Sequence, residues 1–293
     1  MTAADELNDP QEEPPRLRER IDMSSHVVVI IGAGGMGLAI ARRITNGRRL
    51  FLADYSAAAL EVAAKDLSDN GYDVITHTVD VTQLDAVREL AKAAGNLGQV
   101  YAVVHTAGVS PVQASPQQVL EVDLVGTANV LDCFYEIASP GLAMVCIASM
   151  AGHLGGGMTQ ELERHLATAP TDKLLEHPEI DNKTPMSYAM AKKGNILRVK
   201  AASKSWGNKG ARVNTISPGI IATAMGKQEF EGPGGDQMRH MLAASAVGKE
   251  GTAEDIANMV AFLVGPESRY ITGTDFLVDG GVVAGLASQR WAT

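Results

Sequence analysis

The sequence predicts an α/β fold: one doubly wound parallel sheet of about seven strands with helices on both faces. Three observations carry this. Short β-branched runs alternate with amphipathic stretches from residue 26 to residue 281, the pattern of repeated strand–helix units. The first run, Val27–Ile31, is apolar throughout, as a strand covered on both faces must be. Aromatic residues make up only 4% of a chain that is 45% hydrophobic, and this aliphatic bias suits a sheet packed under helices.

The elements follow in order. The helix after Gly34 carries Ile40 and Ile44 on one face. Leu50–Ala53 is the second strand, and Ser56 can cap a helix running through Leu60 and Val62 to Leu67. Val74–Val79 is the third strand, and Thr82 with Asp85 resembles a capping box opening the third helix. Val100–Val104 is the fourth strand. Ser115-Pro116 opens a long helix through Val119, Val122, Val130 and Ile137. Leu142–Ile147, a helix from about Met186 to Trp206, Arg212–Ser217, a helix over Thr252–Val264 and a last strand at Asp275–Val278 complete the series.

Composition bounds the function. The net charge is −9, of which residues 1–22 contribute seven acids against three arginines. An acidic chain without a basic patch is a poor nucleic-acid binder. Cys133 and Cys146 form no paired motif and read as buried thiols of a reducing, cytoplasmic compartment. No apolar stretch reaches the length of a membrane span. Val27–Ala41 follows three arginines and ends in Ala39-Ile40-Ala41, which mimics a secretory leader, but four glycines interrupt it. The seven histidines are dispersed, so no metal site is expected. Ser149 lies in no G-x-S-x-G context, which disfavours a serine hydrolase.

Residues 1–22 read as a disordered tail, with Met23 as a candidate natural start, and residues 23–293 as a single domain. Two segments break its rhythm. An insert at 151–185 contains Gly155-Gly156-Gly157, Leu162 and Leu166, and suits a small helical lid, an oligomer contact or a packed surface excursion. A segment at 220–250 carries Met225, Phe230, Met238, Met241 and Leu242, and suits a loop covering an apolar substrate or plain helix packing. Both follow carboxyl ends of strands, where open α/β sheets bind ligands.

The loop after the first strand reads Gly32-Ala33-Gly34-Gly35-Met36-Gly37 and opens a helix. This is a dinucleotide cradle: Gly32 for the turn, Gly34 for close approach of the pyrophosphate, and Gly37 for helix–strand packing. Asp54, followed by Tyr55, ends the second strand. Its carboxylate can accept from both ribose hydroxyls and repels a 2′-phosphate, which favours NAD(H) over NADP(H). Arg42 and Arg43 read as helix-surface residues.

Tyr188 and Lys192 are four apart, so a helix places them on one face. A tyrosine with a pKa of about 10 needs help to act as a base near neutrality, and an adjacent ammonium supplies it. Ser149 can hold a substrate oxygen beside that phenol. His153, four residues after Ser149, reads as a surface loop residue, with a place in the pocket wall as the alternative.

With these residues on the page, the chain resembles the short-chain dehydrogenase/reductase family across residues 26–281. The resemblance rests on the glycine loop, Asp54, Asp80-Val81, His105-Thr106-Ala107-Gly108, Ser149, Tyr188-Ala189-Met190-Ala191-Lys192, Arg212-Val213-Asn214, Ser217-Pro218-Gly219 and Val278-Asp279-Gly280-Gly281. It implies a Rossmann-type oxidoreductase that interconverts a secondary alcohol and a ketone. Tyr188 is then the acid/base, Lys192 its activator and ribose ligand, and Ser149 the substrate anchor. It further implies Asp80 and Val81 near the adenine, Thr106, Ala107 and Gly108 beside the cofactor, and Pro218, Gly219, Ile221 and Thr223 near the nicotinamide. A homodimer or homotetramer, assembled through the two long helices and the last strand, is also implied. The chain departs from the pattern in a glycine loop one residue shorter, in His105-Thr106 where the family has two asparagines, and in Asp123, which stands where a family asparagine supports a proton relay. Asp123 is therefore a fourth candidate catalytic residue, one that accepts hydrogen bonds but does not donate when ionised. Two alternatives stay open: a cofactor-sensing or scaffold protein without turnover, and an epimerase or dehydratase, for which little chain remains after Gly281.

Overall fold

The computed structural model describes residues 26–184 and 186–289. The readings of residues 1–22 and of Met23 lie outside the described residues. The elements run β1 (His26–Ile31), α1 (Gly35–Ile44), β2 (Arg49–Asp54), α2 (Ala57–Asp69), β3 (Val74–Thr78), α3 (Leu84–Leu97), β4 (Gln99–His105), α4 (residues 116–136), β5 (Ala143–Ile147), α5 (Ala151–Leu154), α6 (Gln160–Thr168), α7 (Ser187–Asn208), β6 (Arg212–Pro218), α8 (Ala224–Glu231), α9 (Gly235–Ala244), α10 (Ala253–Val264), β7 (Asp275–Val278) and α11 (Val282–Gln289).

All seven strands are parallel, in the order β3-β2-β1-β4-β5-β6-β7. The chain leaves β1 in one direction and returns to β4 on its other side, so the order reverses between β1 and β4. A crevice opens beyond the carboxyl ends at such a reversal. Alternation along the strands divides the core. Val27, Val29 and Ile31 join Val87, Phe134 and Val199 under α3, α4 and α7. Val28 and Ile30 join Ile40, Leu60 and Val260 under α1, α2 and α10. The central strands therefore bury both faces, which is why β1 tolerates no polar residue from Val27 to Ile31.

Most helix starts follow the sequence. Ser56 accepts from the Ala59 N–H at 3.2 Å, and Ser115 forms a capping box with Gln118. Three expectations are corrected. Thr82 does not cap α3; its N–H and hydroxyl both donate to Asp80 Oδ1, at 2.9 and 2.8 Å. Gln83 occupies the cap position instead, without a side-chain bond. Val62 is 72% exposed, and Ala63 takes the core position between Leu60 and Leu67. The long helix α4 is not regular: a π-helical turn spans Leu120–Val125 within it.

The insert is packed rather than loose. Leu162, Leu166 and Leu174 are buried against Leu120, Leu124 and Met190. Arg198 of α7 donates to the carbonyls of Leu166 and Ala169 at 3.2 and 3.0 Å, closing the end of α6. A Cβ on Gly194 would stand 2.6 Å from Leu124, so glycine sets how closely α4 and α7 approach. Segment 220–250 behaves differently. A parallel bridge joins Ile221 to Gly251, with Ala222 N–H donating to Gly251 O and Gly251 N–H to Ile220 O, both at 2.9 Å. The excursion between them, α8 and α9, is a flap with its two ends tied together.

Candidate active site

A cleft of about 670 Å³ opens at the carboxyl ends of the strands, at the reversal point. Its walls include Gly32, Gly34, Gly35, Met36 and Gly37, Asp54 and Tyr55, Asp80 and Val81, and Thr106, Ala107 and Gly108, with Thr223 across from them. Thirteen of the predicted cofactor positions therefore share one cavity. Pro218, Gly219, Ile221, Tyr188 and Lys192 do not line it. Pro218 accepts from the Met150 N–H at 2.8 Å and Gly219 donates to Val278 O at 2.9 Å. These two residues brace the neighbouring strand ends, and Ile221 forms the base of the flap.

The glycine loop is built for close approach. Gly32 has φ +112, and a Cβ there would lie 2.4 Å from Thr106 Oγ1. A Cβ on Gly37 would lie 1.9 Å from Gly32 O. At Gly34 a Cβ would meet nothing within 4 Å, so this position faces open cleft. No side chain caps α1, and the first N–H groups of a helix lack partners within it. They are free for an anionic group. Asp54 Oδ2 accepts from the Ala33 N–H at 2.7 Å and Oδ1 from the Ser56 N–H at 2.8 Å. The carboxylate thus locks the loop to the start of α2 while keeping lone pairs toward the cleft. Arg42 pairs with Asp66 at 2.6 Å and Arg43 donates to Asn258 at 3.0 Å; neither turns to the cleft.

A cluster of buried titratable side chains joins this cleft at Gly108. A Cβ on Gly108 would lie 3.1 Å from Asp123 Oδ1 and 3.3 Å from Lys192 Nζ. Lys192 Nζ contacts Asp123 Oδ2 at 3.2 Å, with the two side chains 7% and 0% exposed. It also lies 5.4 Å from the centroid of the Tyr188 ring. Asp123 sits in the π-helical turn, and its Oδ1 accepts from the Val109 N–H at 2.8 Å. The structure therefore gathers Tyr188, Lys192 and Asp123 in one place, and the Ser149 hydroxyl acts on the Tyr188 phenol.

The electrostatics amend the simple expectation for the tyrosine. Burial pushes the Tyr188 phenol up; Lys192 pulls it down, Asp123 pushes it up again, and Ser149 favours the phenolate. The net direction is upward, so Lys192 alone does not deliver a low phenol pKa. Burial acts against the Lys192 ammonium, but Asp123 and Tyr188 hold it above the usual lysine range. Burial pushes the Asp123 carboxyl up, against the pull of Lys192 and the Val109 N–H.

His105 lies just below this cluster. Thr127 Oγ1 donates to Asp123 O at 2.7 Å, so it accepts from His105 Nε2 at 3.1 Å, which fixes the neutral tautomer. Burial, helped by Lys192, lowers His105 to about 3. His153 lies elsewhere, bridging to Asp275 of β7 at 2.8 Å. Cys133 and Cys146 are free and buried, with burial pushing their thiols up to about 11 and about 12. No group of three or more metal-binding side chains occurs among the described residues, and no described helix is long and apolar enough to cross a membrane.

Three lining residues lie outside every sequence motif: Gln113, Gln118 and Glu121, before and within α4; Met225 on α8, from the segment expected to cover the substrate or pack as a helix, also lines the cleft. Their signal was only positional, since the segments after β4 and β6 leave carboxyl ends of strands.

The doubly wound sheet with a glycine-lined cleft at its reversal point defines the class, a Rossmann-type dinucleotide-binding protein. Residues 26–160 match the family model described as short chain dehydrogenase, and residues 178–283 that described as enoyl-(acyl carrier protein) reductase. The short-chain dehydrogenase/reductase bsc3 of Alternaria brassicicola is 39% identical over 272 residues, covering 90% of this chain and 98% of its own. The galactitol 2-dehydrogenase (L-tagatose-forming) of Cereibacter sphaeroides is 32% identical over 261 residues, covering 86% and 92%. Among solved structures, the 3-alpha-hydroxysteroid dehydrogenase from Pseudomonas sp. B-0831, complexed with NADH, superposes with a TM-score of 0.73 at 23% identity, covering 90% of this chain and 99% of its own. The chain belongs to the short-chain dehydrogenase/reductase family, whose members are NAD(P)-dependent oxidoreductases.

Proposed function

We propose that this protein is an NAD(H)-dependent dehydrogenase that interconverts a secondary alcohol and a ketone. The observation that carries the reading is the contiguity at Gly108, where the dinucleotide-shaped cleft meets Lys192, and through it Tyr188. In the oxidative direction the Tyr188 phenolate takes the carbinol proton, and in reduction the phenol returns it. Ser149 holds the substrate oxygen beside that phenol. Lys192 stabilises the phenolate across 5.4 Å, and Asp123 and Gly108 fix where its ammonium sits. A nicotinamide bound in the cleft supplies the hydride acceptor or donor. The glycine loop and the uncapped start of α1 would hold its pyrophosphate, Asp54 its ribose, and Asp80 and Val81 its adenine.

The preference for NAD(H) rests on Asp54, a carboxylate that lines the cleft at the end of β2, and on the engagement of Arg42 and Arg43 elsewhere. The galactitol 2-dehydrogenase relative acts on an alcohol, which supports the reaction class. The substrate is a small molecule, and we further propose a cytoplasmic homodimer or homotetramer. A cofactor-sensing role without turnover is favoured by one feature, the upward push of burial and Asp123 on Tyr188. A screen of secondary alcohols and ketones, followed by the absorbance of the reduced nicotinamide, separates the two readings. Turnover of any member establishes the dehydrogenase; binding of reduced cofactor with no turnover across the panel supports the sensor. Fluorescence titration should show tighter NADH than NADPH, and the reverse order would overturn the role given to Asp54.

A further inference from the structure

The face of α7 that carries Tyr188 and Lys192 carries one more polar residue. Tyr188, Lys192, Asn195, Val199, Ala202 and Trp206 recur at alternating steps of four and three, so they form a single stripe along the helix. Val199 and Trp206 pack against Met144, Cys146 and Val213, which turns the stripe toward the sheet, and α7 packs directly on β6. Asn195 is 0% exposed and lies one turn below Lys192.

Strand register shows what Asn195 faces. His105 neighbours Cys146, and Cys146 neighbours Thr215, so the three side chains stand in one row on one face of the sheet, with about 4.8 Å from strand to strand. Met144 and Val213, which meet Val199, form the row two residues earlier. A strand advances about 6.6 Å over two residues. The helix, running antiparallel to the strands, covers about 6 Å in the four residues from Val199 back to Asn195. Asn195 therefore stands over the row of His105, Cys146 and Thr215. Four buried polar atoms belong to this layer and have no partner among the described residues: Asn195 Nδ2 and Oδ1, Thr215 Oγ1 and His105 Nδ1. Buried polar atoms nearly always have a partner, from the protein or from ordered water, and one buried water typically serves about three of them.

His105 links this layer to the lysine. Its Nε2 donates to Thr127 Oγ1, which donates to the Asp123 carbonyl, and the Asp123 carboxylate holds Lys192. The Lys192 charge is felt at both His105 and Cys146.

We infer that Asn195 and Thr215 hold ordered water that donates to His105 Nδ1, and that Asn195 is thereby a positioning residue for the Asp123–Lys192 pair. Its bearing on catalysis rests on the dehydrogenase reading. A donor at Nδ1 keeps the ring proton on Nε2, where it serves Thr127 and so steadies the π-helical turn that presents Asp123. Without that donor the proton can move to Nδ1, and Thr127 loses its bond from the ring.

The test uses the full chain with isotope-labelled histidine, followed by nitrogen NMR, together with Asn195→Leu and Asn195→Ser. The His105 signals are assigned by difference against His105→Asn. The unmodified chain should show His105 protonated on Nε2 with a hydrogen-bonded Nδ1, and its crystal structure should show water bridging Asn195 and Thr215 Oγ1. Asn195→Leu should shift the Nδ1 resonance to that of an unbonded or protonated nitrogen. It should also slow single-turnover hydride transfer by about fivefold, the worth of one hydrogen bond. Asn195→Ser, which keeps a hydroxyl for the water, should recover most of both. A resonance unmoved by Asn195→Leu overturns the inference, and so does transfer at the unmodified rate once the resonance has moved. If Asn195→Leu does not fold, the unmodified crystal decides: an Asn195 amide paired directly with protein atoms, without water, overturns it. The dehydrogenase reading fails separately, through Tyr188→Phe: full turnover in that variant discards the mechanism and leaves the histidine spectrum and the water as they are.

Discussion

Replacing Asp123 by Asn should make Tyr188 easier to ionise. The carboxylate lies 3.2 Å from Lys192 Nζ, which lies 5.4 Å from the Tyr188 ring centroid. Those distances put Asp123 Oδ2 no farther than about 9 Å from that centroid, where a unit charge at an effective dielectric of about 20 costs the phenolate about 1–2 kcal/mol. Solvent reaching the half-buried phenol trims the effect, leaving about one pKa unit. Asn keeps an acceptor for the Val109 N–H but leaves the Lys192 ammonium without its counter-charge, so the variant will be less stable, by up to about 3–5 kcal/mol. A thermal melt must therefore first establish that it is folded. The direct assay is tyrosinate absorbance as a function of pH. Subtracting the titration of Tyr188→Phe isolates Tyr188 from the other five tyrosines, and the same subtraction is made in the Asp123→Asn background. The isolated midpoint should fall by about one unit on removing the charge. A midpoint that stays in place, in a folded variant, would show that Asp123 carries no charge at the tyrosine and would refute the reasoning.

Two further predictions concern stability. His105 is lowered to about 3 in the fold from an ordinary value of about 6.5, so between those values the unfolded chain takes a proton that the folded chain refuses. Its contribution is fully present above about pH 6.5 and falls by about 1.4 kcal/mol per unit below it. His105→Asn should accordingly lose about 2–3 kcal/mol less than the unmodified chain between about pH 7 and pH 4.5. Urea midpoints at the two pH values measure this, and parallel losses in both proteins would contradict it. Leu166 is fully buried in the cluster that joins the insert to α4 and α7. Leu166→Ala should cost about 2–5 kcal/mol while leaving NADH affinity in place. A cost below about 0.5 kcal/mol, the size of an ordinary surface change, would return the insert to the status of a lid.

What could be read from the chain alone was whatever local chemistry decides. Val27–Ile31 announced a doubly covered strand because every residue is apolar. Ser56 and Ser115 announced their helices because a cap reaches only three residues. Thr82 failed as a cap for an equally local reason that pattern-reading passed over: Asp80, two residues earlier, engages both its N–H and its hydroxyl. The π-helical turn under Asp123 was not legible, because the chain there is shaped by distant partners. Gly126 lets Val81 approach to where a Cβ would stand 2.7 Å away, and Val109 and Lys192 fix the carboxylate. The spacing of Tyr188 and Lys192 foretold their shared face, but not that burial would outweigh the ammonium at the phenol.

The account stands most directly on Tyr188→Phe. Phenylalanine keeps the ring and removes only the hydroxyl proposed to exchange the proton. Single-turnover hydride transfer from an alcohol identified in the screen, monitored as nicotinamide absorbance, should fall by about a hundredfold or more, the usual worth of a positioned acid/base, with NADH affinity retained. Transfer at the unmodified rate would mean that another group moves the proton, and would contradict the assignment of this site.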